Sequence, residues 1–132
     1  MNTKLLMIIS TTIMTVGGLA LTFFPQEILY GFGLGSAGYF SVLLQVTGAL
    51  YLGFAMLNWM AKGFLLGGIY NRPITMANFL HYFIACLAII KVAADLNNSY
   101  VWAAALIYAI LAICFGYMLF THPMRVKSPD EK

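Results

Sequence analysis

The sequence predicts an all-α fold in which four helices cross a membrane. Hydrophobic residues make up 62% of the 132-residue chain and charged residues only 8%, whereas a soluble domain is roughly half apolar and about a quarter charged. The apolar residues form four runs, each near the ~20 residues that a helical crossing needs. These runs cover residues 5–24, 40–61, 75–94 and 100–120. We therefore expect residues 1–121 to form one four-helix transmembrane domain, a bundle followed by a short cytoplasmic tail at residues 122–132.

The runs predict helices and not barrel strands, because they are apolar at consecutive positions. A spanning strand would show about 10 residues of alternating polarity. The first run follows Lys4 and could also be read as a signal peptide. Its apolar stretch exceeds the roughly 7 to 15 residues of a signal core, so we favour a spanning helix.

The connector between the first two runs predicts a short interfacial helix. Pro25 suits the first turn of a helix, Glu27 suits its positive end, and Gly31 suits its stop. Such a segment can rest in the headgroup region without spanning, with its aromatic side chains as anchors. A second interpretation makes residues 25–39 a lid over the bundle.

The basic residues predict the orientation, because those in short loops near a spanning helix stay on the cytoplasmic side. They lie before the first run (Lys4), between the second and third (Lys62, Arg72) and after the fourth (Arg125, Lys127, Lys132). The opposite side holds Glu27, Lys91 and Asp95. Both termini are therefore expected in the cytoplasm.

Small residues recur at helical spacing on two of the runs. They are Thr11, Thr15, Gly18 and Thr22 on the first run, and Ala105, Ala109, Ala112 and Gly116 on the fourth. Small side chains let helices approach closely in lipid, where no hydrophobic force acts between them. We expect these stripes to serve packing within the chain; a contact between copies in a homo-oligomer is the alternative.

Polar residues of the second and third runs separate by depth into two groups, which we name here. The inner polar group is Asn58, Trp59, Lys62, Arg72, Asn78, His81 and Tyr82, and the outer polar group is Gln45, Lys91 and Asp95. Polar groups facing lipid are costly, so the helix faces that carry these residues should point inward or toward a partner. On the second run one such face consists of Gln45, Gly48, Leu52, Ala55 and Trp59, with Asn58 and Lys62 at its edge. On the third run one arc consists of Asn78, His81, Tyr82, Ala85, Ala88, Val92 and Asp95. The bilayer centre between the two groups is mainly apolar, which disfavours an open ion channel.

Each group has a functional and a structural interpretation. His81 lies six residues past Thr75, roughly 9 Å into the predicted helix, where it could titrate or hold a ligand. Alternatively Asn58, Asn78 and His81 form hydrogen bonds between helices, each worth about 0.6 kcal/mol. Lys91 and Asp95, one turn apart, could form a proton or ion relay. An interfacial salt bridge is the interpretation that we favour for them.

Known catalytic patterns are absent from the sequence. It has no Gly-rich phosphate loop, no His-Glu-x-x-His, no Cys-x-x-Cys and no nucleophile elbow. Two histidines, His81 and His122, give a haem or metal few ligands. We expect no metal site, no intrinsic cofactor, no nucleic-acid partner and a binding protein more than an enzyme.

A resemblance to a known family lies mainly in residues 45–81. The quoted segments are Gly48-Ala-Leu-Tyr-Leu-Gly-Phe-Ala-Met-Leu-Asn58-Trp59, then Gly68-Ile-Tyr70-Asn-Arg72-Pro73 and Asn78-Phe-Leu-His81. They resemble small bacterial four-helix membrane proteins of the DoxX-like type. The resemblance implies a bundle in a bacterial inner membrane and, through some relatives, an association with quinone-linked redox complexes. It supplies no catalytic residues.

Three functional hypotheses follow. The first is a non-catalytic membrane subunit that binds a lipid- or quinone-type amphiphile between the second and third runs, near the cytoplasmic side. The inner polar group would fix the polar head, as in most ligand sites. The second is a small transporter or proton-coupled carrier acting as a homodimer. The third is an accessory subunit of a larger quinone-linked redox complex. In all three the lipid bilayer is the immediate partner.

Overall fold

The computed structural model describes residues 3–34, 38–63, 71–96 and 98–121 and confirms the all-α prediction. The helices are α1 (Thr3–Phe23), α2 (Pro25–Gly31), α3 (Gly38–Ala61), α4 (Arg72–Leu96) and α5 (Ser99–Phe120). The four long helices begin and end within three residues of the predicted runs, and no strand occurs in the described residues. The predicted tail, residues 122–132, and the quoted Gly68-Ile-Tyr70 segment lie outside them.

Helix α4 begins three residues earlier than predicted. Pro73 occupies its first turn, where a missing N–H costs nothing because the first amides of a helix have no acceptor within it. The carbonyl of Asn71 accepts hydrogen bonds from both the backbone N and the Oγ1 of Thr75, each 3.0 Å long. The proline therefore opens this helix.

The junctions around α2 follow the predicted residues, with one difference. Pro25 ends α1 and starts α2, and Gly31 is the last helical residue. The turn itself is made by Gly33, whose φ of 72° lies in the left-handed region that favours glycine. The Gly33 N–H donates to Tyr30 O and the Leu34 N–H to Leu29 O, which is a Schellman motif.

The described helices group into two compact units, Met1–Gly63 and Phe64–Lys132, which we describe one at a time. The N-terminal unit contains α1, α2 and α3, and the C-terminal unit contains α4 and α5. The connection from α4 to α5 is short, and the Asn98 side chain caps α5 by accepting from Tyr100 N at 2.9 Å. The single domain expected for residues 1–121 stays a prediction.

In the N-terminal unit, α1 and α3 meet backbone to backbone. A Cβ atom built on Gly48 would lie 2.8 Å from Gly18 O and would collide with Thr22 Oγ1, and one built on Gly18 would lie 3.0 Å from Gly48 O. Only hydrogen fits on either side. The predicted stripe on α1 thus packs within the chain, although its buried line runs through Ser10, Met14 and Gly18, with the threonines beside it half-buried.

In the C-terminal unit, α4 and α5 meet through large rings. Tyr82 of α4 is fully buried and stacks on Phe115 of α5, with ring centroids 5.7 Å apart and planes 14° apart. Gly116 lies beneath the Phe79 ring, where a Cβ atom would come within 3.0 Å of a ring carbon. The small-residue stripe of α5 therefore also serves internal packing, by receiving side chains of α4.

Candidate functional site

A buried polar contact joins the two long helices of the N-terminal unit. The Asn58 Nδ2 group donates to Ser10 Oγ at 2.9 Å and approaches Met14 Sδ at 3.8 Å. Asn58 and Ser10 are both fully buried. Asn58 was expected at the edge of its helix face, but it lies at the centre of the buried face. It therefore fulfils the structural interpretation, a hydrogen bond between helices.

Trp59 and Lys62 form a second contact at the end of α3. The Lys62 Nζ atom lies over the Trp59 ring, 2.6 Å from its centroid, in a cation–π arrangement. Trp59 was expected on the buried face of α3, yet half of it (51%) is exposed. Asn58 is the residue that α3 buries here, and the next residue along the helix points about 100° away from it. The pKa of Lys62 is lowered, mainly by desolvation and to a smaller extent by the Lys4 ammonium.

In the C-terminal unit, α4 buries a line of polar side chains from its first residues onward. The line consists of Asn71, Thr75, Asn78, Tyr82 and Cys86. Asn78 Nδ2 donates to Ile74 O at 2.9 Å, and Cys86 Sγ donates to Ala105 O of α5 at 3.6 Å. All five side chains are buried, and those of Thr75, Asn78 and Cys86 are engaged with backbone carbonyls.

His81 lies beside this line in a group of aromatic rings. Its ring centroid is 5.2 Å from that of Tyr82, in an edge-on arrangement, and 6.1 Å from that of Tyr108. Tyr82 and Tyr108 also meet edge to face at 5.3 Å, a favourable geometry for aromatic pairs. Tyr82 is fully buried, whereas His81 and Tyr108 are only half-buried.

The surface around His81 is shaped by small neighbours on the same helix. Ala77 and Ala85 lie one turn before and one turn after it, and both are half-buried. His81 lies nine residues past Arg72, about 14 Å along the helix axis from the observed start of α4.

Burial divides the inner polar group into two kinds of residue. Asn58, Asn78 and Tyr82 are fully buried. Trp59 and Lys62 in the N-terminal unit, and His81 and Arg72 in the C-terminal unit, keep exposed surface. The first three position helices. The other four keep surface outside the helix contacts, although the Nε2 atom of His81 is itself buried.

The outer polar group is exposed throughout. Gln45 on α3, and Lys91 and Asp95 on α4, all carry exposed side chains. The expected salt bridge is not made, since the described residues form no ion pair between Lys91 and Asp95. The favoured i, i+4 order places the acid before the base, and here the base comes first.

Neither cysteine is disulfide-bonded, and no metal cluster is found in the described ranges. Cys86 is buried and Cys114 half-buried. Within residues 3–34, 38–63, 71–96 and 98–121, no three His, Cys, Asp or Glu side chains come together.

Sequence reasoning missed several polar members of these contacts. Ser10, Asn71, Thr75 and Tyr108 were not chosen as site residues. Helical spacing indicates two of them. Thr75 lies three residues before Asn78, and Asn71 lies four residues before Thr75, so all three share one helix face. Ser10 stands out less, because Thr11 and Thr12 directly follow it and only its partner on α3 distinguishes it from them.

Together these features define a class of protein. Four helices are long and apolar enough to cross a membrane. Their outward faces carry large apolar side chains: Val16, Leu50, Leu106 and Ile113 are between 62% and 70% exposed. A surface of this kind is favourable in lipid and unfavourable in water. The chain is therefore a multi-pass membrane protein. No family model, curated protein or solved structure matches it.

Proposed function

We propose that the chain is a non-catalytic membrane protein that binds a small amphiphile, of lipid or quinone type, at His81. One observation carries this proposal: a half-buried imidazole on an apolar helix, backed by Tyr82 and Tyr108. Intramembrane ionisable residues are costly and mark functional sites by default. The Nε2 atom of His81 is buried, so a hydrogen bond from the imidazole to a quinone carbonyl or a lipid ester requires the neighbouring side chains to move aside.

The surroundings of His81 favour an elongated, mostly apolar ligand. Ala77 and Ala85 are small, half-buried residues one turn to either side of the imidazole, and the Tyr108 ring lies beside it. Ligand sites typically combine an apolar lining with a few polar groups that fix orientation. An acyl or isoprenoid chain would follow the alanines, and the polar head would meet His81.

We place the protein in a bacterial cytoplasmic membrane with both termini inside. Lys4, Lys62 and Arg72 favour this orientation through the bias of basic residues toward the cytoplasmic side. The resemblance of residues 45–81 to DoxX-like proteins supports the bacterial membrane. A reporter that works only outside the cytoplasm should be active when it is fused after residue 34 or residue 97. A reporter that works only in the cytoplasm should be inactive at both positions.

Native mass spectrometry of the protein taken gently from its membrane tests the ligand. We expect a retained adduct of lipid or quinone mass, and displacement of that adduct by added decylubiquinone if the native ligand is a quinone. The variants His81→Leu and Ala85→Leu should each reduce retention at least about tenfold. The first removes about 1.4 kcal/mol or more of hydrogen bonding to the head, and the second fills the space beside it.

Ala88→Leu is the matched control, because Ala88 is an exposed residue of the same helix. It should retain the adduct at the wild-type level. A wild-type protein that carries no adduct, or equal retention in His81→Leu, Ala85→Leu and Ala88→Leu, contradicts the proposed function. Circular dichroism of each variant confirms that the helices are intact.

A further inference from the structure

The helix register of the N-terminal unit brings two lysines to the same level. Helices α1 and α3 are antiparallel and touch where Gly18 faces Gly48. Counting 14 residues back from Gly18 reaches Lys4, and counting 14 forward from Gly48 reaches Lys62. Because both helices rise about 1.5 Å per residue, these two side chains lie at one end of the unit.

No acidic side chain of this unit can neutralise that end. Glu27 is the single acidic residue among residues 1–63, and it lies in α2, beyond the far end of α1. The 21 residues of α1 place it about 30 Å from Lys4. That distance exceeds the Debye length of about 8 Å at physiological salt. The counter-charge of the two lysines therefore comes from outside the unit.

Trp59 indicates that this end of the unit lies at the level of the lipid headgroups. Its ring holds the Lys62 ammonium in a cation–π contact and is 51% exposed. Tryptophan is enriched at the membrane surface, at the level of the lipid headgroups. The ends of α1 and α3 are also the ends of two spanning segments. A cation pair at this level faces headgroup phosphates before it faces solutes of the cytoplasm.

We propose that Lys4 and Lys62, with Trp59 beside them, bind the phosphate of an anionic phospholipid headgroup. The two ammonium groups supply charge and hydrogen-bond donors to the phosphate oxygens. The mutual repulsion of the lysines, which contributes to the lowered pKa of Lys62, is relieved when an anion lies between them. This site belongs to the N-terminal unit and does not depend on His81.

Competition between lipids in nanodiscs of defined composition tests the site. The full-length protein is placed in discs of equal phosphatidylglycerol and phosphatidylcholine and then released into native mass spectrometry. We expect phosphatidylglycerol to be retained preferentially. Lys4→Gln and Lys62→Gln should each lower that preference about fivefold, the equivalent of the about 1 kcal/mol that one basic residue contributes near an anionic membrane surface.

Two further variants separate charge from structure. Lys62→Arg keeps the charge and should keep the preference. Lys91→Gln removes an exposed lysine of the C-terminal unit and should leave the preference unchanged. If Lys62→Gln disturbs folding, Lys4→Gln still decides the matter, because Lys4 is exposed in the first turn of α1.

Three outcomes overturn the proposal. One is equal retention of the two lipids by the wild-type protein, and another is an unchanged preference in the Lys4→Gln, Lys62→Gln double variant. The third is displacement of phosphatidylglycerol by millimolar inorganic phosphate, which would identify the site as one for soluble phosphate. Loss of the His81 adduct would leave this result unaffected, so the two proposals fail separately.

Discussion

The two units of this chain join their long helices by opposite means. Where α1 meets α3, glycine faces glycine and the backbones touch. Where α4 meets α5, Tyr82 and Phe115 fill the space with stacked rings. In lipid no hydrophobic force draws helices together, so each pair depends on van der Waals contact and hydrogen bonds. The chain shows that close approach and bulky interdigitation are two ways to obtain that contact.

The difference also determines where a ligand can enter. Where Gly18 faces Gly48 no side chain fits between α1 and α3, and the polar pair further along this contact, Ser10 and Asn58, is fully buried. In the contact of α4 with α5, half-buried polar groups lie at the edge of the stacked rings, and His81 is one of them. Within the inner polar group, the half-buried His81 accordingly lies inside the span of α4, whereas Trp59 and Lys62 lie at the end of α3.

Removing the central ring should have the largest effect on stability. We expect Tyr82→Ala to cost about 3 kcal/mol of unfolding free energy, the lower end of the range for aromatic-to-alanine changes, because lipid contributes no hydrophobic transfer term. Reversible unfolding in mixed micelles measures it. Tyr117→Ala is the control: Tyr117 is 61% exposed on α5, and the change should stay within about 0.5 kcal/mol. Equal costs would show that the ring contacts do not hold this unit.

Adding a single methyl group should break the other contact. The Cβ of Gly48→Ala would meet the backbone of Gly18 and Thr22, which cannot rotate away, so the helices must separate at a cost of about 2 kcal/mol. Gly53→Ala makes the same change on the open side of α3, where nothing lies within 4 Å. It should be neutral or stabilise by up to about 1 kcal/mol. If both variants behave alike, backbone contact is not what joins α1 to α3.

Sequence reasoning predicted the helices well, because a span of about 20 apolar residues is a strong and local signal. It was less successful with helix faces. Asn58 was expected at the edge and Trp59 on the buried face, and the structure reverses them. Adjacent residues differ by about 100° around the helix axis, and in an apolar run both sides of a face have similar hydrophobicity. The buried side is set by the partner helix, which a single run does not reveal.

The candidate site was predictable in composition and not in accessibility. Asn78, His81 and Tyr82 were all selected as polar groups of one helix arc, and they do lie close together on α4. Which of them a ligand reaches depends on hydrogen bonds to the backbone and on rings from α5, such as Tyr108. The ring contacts join residues more than 20 positions apart in sequence, and nothing in the local pattern specifies them.

The smallest expected effect concerns the polar pair of the N-terminal unit. A double-mutant cycle with Ser10→Ala and Asn58→Ala should give a coupling of about 0.6 kcal/mol, the average for hydrogen bonds between membrane helices. It is small because Ser10, separated from Asn58, can bond to a carbonyl of its own helix. Gln45→Ala, an exposed amide on the same helix, should show no coupling to Ser10→Ala. A coupling above about 2 kcal/mol, beyond the largest values found for such bonds, would mean that polarity joins α1 to α3 as much as glycine contact does.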